Sequence, residues 1–205
     1  RDSTAHLRCR FAGHYRAAGN SRWYHHRAGR CAVFLVGLEE CEESRILVTM
    51  EIAIRKIEPH ESPQTKSFSR KSIVNSRLVL GIENEKLTYT IVPVEPYERD
   101  VPAEDTEYGF DGAGPTVFFA KVDGKLAGRI RMFKWWNQFG YIEDLVVNPE
   151  YRGLSIGRQL LERGIQWARE NSFPGVMLET QDDNVPACML YQSCGFVLSG
   201  FDRNV

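Results

Sequence analysis

Gly153 and Gly157 stand between a short apolar run and an amphipathic stretch; the text reads YIEDLVV, then NPEYRGLSIG, then RQLLERGIQWARE. A glycine-containing turn that opens a helix can bind an anion. Glycine lets a ligand approach the main chain with no Cβ in the way. The first N–H groups of a helix have no internal acceptors, and the helix dipole adds partial positive charge there. Phosphate or pyrophosphate suits such a place. The cradle would be Arg152, Gly153, Leu154, Ser155, Ile156, Gly157 and Arg158, with the Arg152 guanidinium as a charged donor. The nucleotide-triphosphatase loop is excluded, because the spacing is too short and no Gly-Lys-Ser/Thr follows. The dinucleotide fingerprint G-x-G-x-x-G is absent as well. Taken alone, the turn can equally be a plain strand-to-helix connection.

A second segment, residues 178–196 (LETQDDNVPACMLYQSCGF), reads as a strand end, a loop and a short helix. Asn184 caps that helix, Pro186 sits in its first turn and Gly195 closes it. R-G-x-S-I-G at 152–157 and N-x-x-A-x-x-L-Y-x-x-x-G-F at 184–196 together resemble the two signature segments of the GNAT superfamily of acetyl-CoA-dependent N-acetyltransferases. ETQDDNVPAC…LYQSCGF with IEDLVV…YRG is similar to the streptothricin acetyltransferases, antibiotic-resistance enzymes of that superfamily. The resemblance implies acetyl-CoA as co-substrate, no metal, and direct acetyl transfer within a ternary complex. The implied acceptor is a primary amine of a cationic small molecule, with streptothricin first. Two alternatives stay open: a non-catalytic CoA-binding fragment or sensor, and an enzyme acting on a polyamine, an aminoglycoside or a protein N-terminus. Ser155 stands where the family prefers glycine.

Amide formation from a thioester needs a neutral amine, a stabilised oxyanion and a proton for the departing thiolate. A primary ammonium titrates near pH 10, so a base or a water chain must take its proton. Glu143 and Glu179 are the candidates, since the family carries an acid at one or other position. Each could also be an ordinary paired or surface charge. Strict strand alternation points Glu143 away from Asp144, so both should not serve one cleft. Tyr191 matches the family tyrosine that protonates the thiolate. It also lies on an apolar stripe with Ala187, Leu190 and Cys194, so core packing is its other reading. By analogy, the backbone of Leu145, Val146 and Val147 would hold the pantetheine arm and the thioester oxygen, and Asn184 would join the cofactor site. No histidine lies downstream of Gly81, so Cys188 and Cys194 lack the partner of a Cys-His nucleophile.

These residues need elements to position them. Residues 141–147 are β-branched and aromatic and read as a strand, which Pro149 stops. Ile156, Leu160, Leu161, Ile165 and Ala168 form the apolar stripe of a helix over 155–171, about 25 Å long. Upstream, 51–57 alternates as a strand and 58–76 reads as loop. Residues 77–82 and 87–94 are strands around a turn at Asn84. The run 95–111 holds Glu95, Glu98, Asp100, Glu104, Asp105, Glu107 and Asp111 against Arg99. It is either a solvated loop or an electrostatic funnel for a cation. Strands 116–122 and 125–133 flank Asp123-Gly124, a type I′ hairpin signal. A turn at 135–140 carries Trp135 and Trp136, as packing or as acceptor-pocket wall. A strand at 175–180 follows the long helix, and another begins at Phe196. The expected fold is α/β (α+β), a mixed, mostly antiparallel central sheet with helices on both faces. Relatives continue through a further strand beyond the position of Val205. Its absence should leave the edge after Phe196 exposed.

Across the 205 residues the net charge is −1, which makes no general case for nucleic acid. The charge is uneven. Residues 1–49 carry eight arginines, no lysine and five acids, whereas 50–205 carry 18 basic and 22 acidic residues. The first 49 residues show no sustained period and are expected to be a non-core extension. Residues 50–205 are then a C-terminally truncated transferase domain. The apolar run 31–38 is too short to span a bilayer, so no membrane partner is expected. His25 and His26 with Cys9, Cys31 and Cys41 lack the spacing of a metal site. Five unpatterned cysteines fit a reducing cytoplasm. A homodimer is left open.

Overall fold

The computed structural model describes residues 7–14, 50–57, 68–101 and 114–203. Along these residues the order is β1 (Leu7–His14), β2 (Ile52–Lys56), β3 (Ser72–Glu83), β4 (Lys86–Arg99), β5 (Thr116–Val122), β6 (Lys125–Lys134) and β7 (Gly140–Val147). Then come α1 (Ile156–Glu170), β8 (Gly175–Gln181), α2 (Val185–Ser193) and β9 (Val197–Arg203). Contacts divide the chain into residues 1–15 with 51–205, and residues 16–50. The first unit carries every element named here.

Local chemistry accounts for most of these elements. Asp123 and Gly124 both have positive φ, 47° and 77°, as a type I′ turn between β5 and β6 requires. Asn84 and Glu85, at 50° and 62°, make the same kind of turn between β3 and β4. Helix α1 buries Ile156, Leu160, Leu161, Gly164 and Ala168, and each large aliphatic there contributes on the order of 2 kcal/mol. A Cβ at Gly164 would lie 2.6 Å from the Met132 sulfur and 2.8 Å from Ile130 Cδ1, so the helix sits directly on β6.

Seven strands form one sheet in the order β2-β5-β6-β7-β8-β1-β9, and β3 pairs with β4 in a separate ribbon. Every neighbouring pair is antiparallel except β7 with β8. Ile130 and Met132 face α1, and so do their register partners Leu145 and Ile142. Ile142 is opposite Leu178, and Leu178 is opposite Phe11, whose ring lies 5.7 Å from that of Tyr191 on α2. Both described helices therefore lie on one face of the sheet. Over β6 the other face carries Phe68, whose ring lies beneath the Arg129 guanidinium and beside Phe119.

Three expectations are corrected. Residues 1–49 were placed outside the core, yet Leu7–His14 forms an interior strand between β8 and β9. Cys9 and Phe11 are completely buried, flanked by the more exposed Arg8 and Arg10. An alternation carried by two apolar residues among arginines is too short to stand out from sequence alone. The edge beyond Phe196, expected to be open, is accordingly paired with β1. The residues 72–76 read as loop are the start of β3, and Glu95, Glu98 and Arg99 of the acidic run lie in β4. Long-range pairing overrode their loop-like composition. Glu104, Asp105, Glu107 and Asp111 lie outside the described residues.

Candidate active site

Strands β7 and β8 pair only at Gly140 with Val176, Tyr141 with Met177, and Ile142 with Leu178. Beyond that point they splay. The gap is a cavity of about 440 Å³, a normal size for a small-molecule site. Glu143, Asp144, Leu145, Val146 and Val147 line it from β7, and Glu179, Thr180 and Gln181 from β8. Asn184, Pro186, Ala187 and Tyr191 close it from α2, with Arg70, Ser72 and Arg99 on the remaining side. Splaying leaves the β8-facing backbone groups of β7 without strand partners, the condition for a ligand to add to the strand.

Glu143 and Asp144 both reach this cavity, contrary to the alternation argument. Arg131 is opposite Asp144, but Met132 is opposite Ile142, so Glu143 is an extra residue in β7. A β-bulge of this kind re-aims side chains. Ile142 and Leu145 both face α1 although three positions apart, which leaves Glu143 and Asp144 together on the opposite face.

The cavity carboxylates are held by arginines. Arg131 Nε donates to Glu143 Oε2. Arg129 Nε donates to Asp144 Oδ2 at 2.6 Å, and Arg70 donates to Asp144 Oδ1 at 2.5 Å. Arg10 Nε on β1 donates to Glu179 Oε1 at 2.8 Å. Their side chains differ in exposure: 8% for Glu143, 7% for Asp144 and 18% for Glu179. Next to the cavity, Asp183 accepts from Arg99 at 2.5 Å and from the Tyr97 hydroxyl at 2.7 Å. Asp182 pairs with Arg77 at 3.2 Å, and its carbonyl accepts from the Leu78 N–H. The β3–β4 ribbon is thus latched to the loop that leads into α2.

Tyr191 enters from the helix face. Its ring packs against Phe11 and Phe196 at 5.7 and 6.1 Å. Its hydroxyl makes no hydrogen bond to a described residue. Burial, followed by the charges of Cys188 and Asp144, pushes its ionisation well above that of free tyrosine. It therefore holds its proton at neutral pH, as an acid must. Asn184 does stand at the N-cap of α2, but its side chain does not cap the helix. Its Nδ2 donates to Thr180 Oγ1 at 3.1 Å, which braces the cavity wall. Cys188 is buried; its hydrogen bond with Cys9, and then burial, raise its pKa, so it rests as an unreactive thiol.

A second cavity of about 410 Å³ adjoins the first, sharing Val147, Arg152, Pro186 and Ala187 with it. It is lined by Gly153, Ser155, Ile156, Gly157 and Arg158 at the start of α1. Leu154 is half-buried against the core. The first intrahelical bond runs from Gln159 N–H to the Ser155 carbonyl. The N–H groups of Ile156, Gly157 and Arg158 therefore have no acceptor within the helix. Gly153 has φ +82°, and Ser155 has φ +60°. The left-handed conformation explains the family preference for glycine at this position. Gly157 serves packing instead, since a Cβ would stand 3.3 Å from Leu190 Cδ2. The Arg152 guanidinium is turned to the carbonyls of Val147 and Lys71, both at 3.3 Å, and Arg158 is tied to Ser193. Both arginines are thus engaged with protein acceptors, and the donors left at this turn are backbone N–H groups.

The structure thus brings Glu143, Glu179, Tyr191, Asn184, Leu145, Val146 and Val147 to one cavity and the glycine turn to its neighbour. Trp135 and Trp136 are not in either; Trp135 stacks on Tyr141 at 4.5 Å and Trp136 is exposed. Sequence reading missed Asp144, Arg70, Arg99 and Arg10, whose partners are distant in the chain. Among the described residues no three His, Cys, Asp or Glu cluster as a metal site, and no helix is long and apolar enough to cross a membrane.

Residues 81–196 match the model of the acetyltransferase (GNAT) family. Streptothricin acetyltransferase A of Bacillus subtilis (strain 168) is 34% identical over 142 residues, 67% of this chain and 82% of that protein. A streptothricin acetyltransferase of Escherichia coli is 32% identical over 144 residues, 70% of this chain and 80% of that one. The solved structure of a Bacillus anthracis (str. Ames) protein described as a streptothricin acetyltransferase, in complex with acetyl-coenzyme A, superposes with a TM-score of 0.66. That pair is 35% identical, covering 73% of this chain and 86% of the other.

Proposed function

The chain belongs to the acetyltransferase (GNAT) family, and from that membership we propose that it transfers an acetyl group from acetyl-CoA to a primary amine of a cationic small molecule, streptothricin being the first candidate. One observation carries this reading. Two adjoining cavities share Val147, Arg152, Pro186 and Ala187; one is lined by the start of α1, and the other is the β7–β8 gap, with Tyr191 on the helix side and Glu143 and Glu179 on the other.

In this reading the turn at Gly153, Ser155 and Gly157 holds the pyrophosphate of acetyl-CoA through backbone N–H groups. The backbone of Leu145, Val146 and Val147 receives the pantetheine arm, with Asn184 at the opposite wall. The amine comes from the carboxylate face. Glu143 or Glu179, directly or through water, takes one proton from the ammonium. The neutral nitrogen attacks the thioester carbon, and backbone N–H groups of β7 stabilise the oxyanion. As the C–S bond breaks, the Tyr191 hydroxyl gives its proton to the thiolate, and the surplus proton of the attacking nitrogen passes through water to the tyrosinate and restores it. No acyl-enzyme is required. Streptothricin as acceptor rests on the names of the relatives, and the cytoplasm, where acetyl-CoA is at hand, is the proposed compartment.

The test is release of free CoA thiol from acetyl-CoA in the presence of streptothricin, polyamines or aminoglycosides. Faster release with streptothricin than with any other amine supports the reading. Tight acetyl-CoA binding with no amine-dependent release would make the chain a CoA-binding protein instead.

A further inference from the structure

Arg10 and Glu179 are register partners across β1 and β8. Arg10 lies opposite Gly200 on its other side, and a Cβ at Gly200 would be 3.7 Å from Arg10 Cδ, so the arginine stem runs over that glycine. Its Nε donates to Glu179 Oε1 at 2.8 Å, and a terminal guanidinium nitrogen donates to Asp202 Oδ2. Glu179 Oε2 makes no hydrogen bond to a described residue. Glu179 lines the cavity and Arg10 does not. Of the three cavity carboxylates Glu179 has the most exposed side chain, and its arginine comes from a strand far away in sequence.

We propose that Arg10 is a positioning residue for acetyl transfer, and that β1 is therefore a working part of the active site. Arg10 clamps Glu179 by one oxygen and is itself steadied by Asp202. The other oxygen is left to accept the ammonium proton or a water. Without the guanidinium, Glu179 can rotate freely on its two methylenes, and the acceptor loses an oriented anion. This rests on the amine-acetylation reading above. Arg10 acts through Glu179 alone, so its effect must vanish once Glu179 cannot serve.

The experiment is a double-mutant cycle in the full chain with Arg10→Met, Glu179→Gln and the pair together, plus Arg10→Lys. Streptothricin is the acceptor. For Arg10→Met, kcat/KM for the acceptor should fall at least tenfold while the acetyl-CoA Kd stays within twofold. Arg10→Lys should recover most of that loss, and adding Arg10→Met to Glu179→Gln should change nothing further. Additive losses, or no loss in Arg10→Met, would overturn the role. Should Arg10→Met fail to fold, Arg10→Lys decides alone: a loss as large as that of Glu179→Gln overturns the clamp, and near-parent activity supports it. If the parent acetylates no amine, the functional reading falls separately. Crystal structures with acetyl-CoA then judge the clamp on Glu179 alone: a carboxylate unmoved in Arg10→Met refutes the clamp, and a displaced one upholds it.

Discussion

Ile142 and Leu178 are the last opposed residues of β7 and β8, and the strands part immediately beyond them. The next residue on each strand is a glutamate, Glu143 and Glu179, and both line the gap. The bulge at Glu143 adds Asp144 to the same side. One interruption of strand pairing thus creates the cavity, frees the β7 backbone and supplies the carboxylates.

Tyr191→Phe should separate chemistry from packing. The ring contacts with Phe11 and Phe196 persist, and no hydrogen bond to a described residue is lost. Turnover should drop by about 10²–10⁴, with acetyl-CoA affinity by calorimetry nearly unchanged. Parent-like turnover would leave Tyr191 as a core residue only.

Gly157→Asp places a negative charge beside the free N–H groups of α1. Acetyl-CoA binding should weaken at least about tenfold, or roughly 1.4 kcal/mol. Gly157→Ala is the control, since its Cβ asks only a small shift of Leu190. Equal affinities for the aspartate and alanine variants would remove the turn from the cofactor site.

At Ser155, φ is +60°, a conformation that costs an L-residue roughly 1–2 kcal/mol. Ser155→Gly removes that cost but loosens the unfolded chain by about 0.5–1 kcal/mol. A net gain of about 0.5 kcal/mol should appear as a higher urea midpoint, with acetyl-CoA affinity preserved. A lower midpoint would mean that the serine side chain is stabilising.

Phe11 measures whether β1 belongs to the core. Its side chain is fully buried, so Phe11→Ala should cost about 3–5 kcal/mol in urea unfolding. A change below about 0.5 kcal/mol, the size of an ordinary surface substitution, would return the N-terminal segment to a dispensable extension.

Tyr141 provides a pH dependence. Burial first, then Glu179 and Glu143, against the opposing Arg8 and Arg10, raises its pKa to about 12. A raised folded-state value means that the contribution is whole below about pH 10 and is lost as pH climbs toward 12. The slope is at most about 1.4 kcal/mol per pH unit. Tyr141→Phe should flatten the decline in urea midpoint between pH 9 and 11, leaving a remainder from Tyr97 and Tyr191, which shift the same way. An unchanged slope would show that Tyr141 is not held in its protonated form by the fold.

The proposed cofactor side of the site was written locally. Pro149 ends a strand, Gly153 turns the chain and an apolar stripe starts at Ile156, all within reach of their neighbours in sequence. Short-range sterics and periodicity therefore suffice to read the turn, α1, α2 and the hairpin at Asp123-Gly124. The carboxylate side was not legible in that way. A bulge that turns Glu143 toward Asp144 depends on how β6 pairs with β7, and no alternation rule can announce it. Arg10 reaches Glu179 only because β1 slots between β8 and β9, a pairing between residues far apart in the chain. Ion pairs of this sort leave no periodic trace, since a lone arginine has the same appearance in a loop and in a sheet. Local sequence determined the glycine turn and the tyrosine helix. Tertiary pairing decided which carboxylates share the cavity and which arginines hold them, because charge partners are chosen by proximity in space.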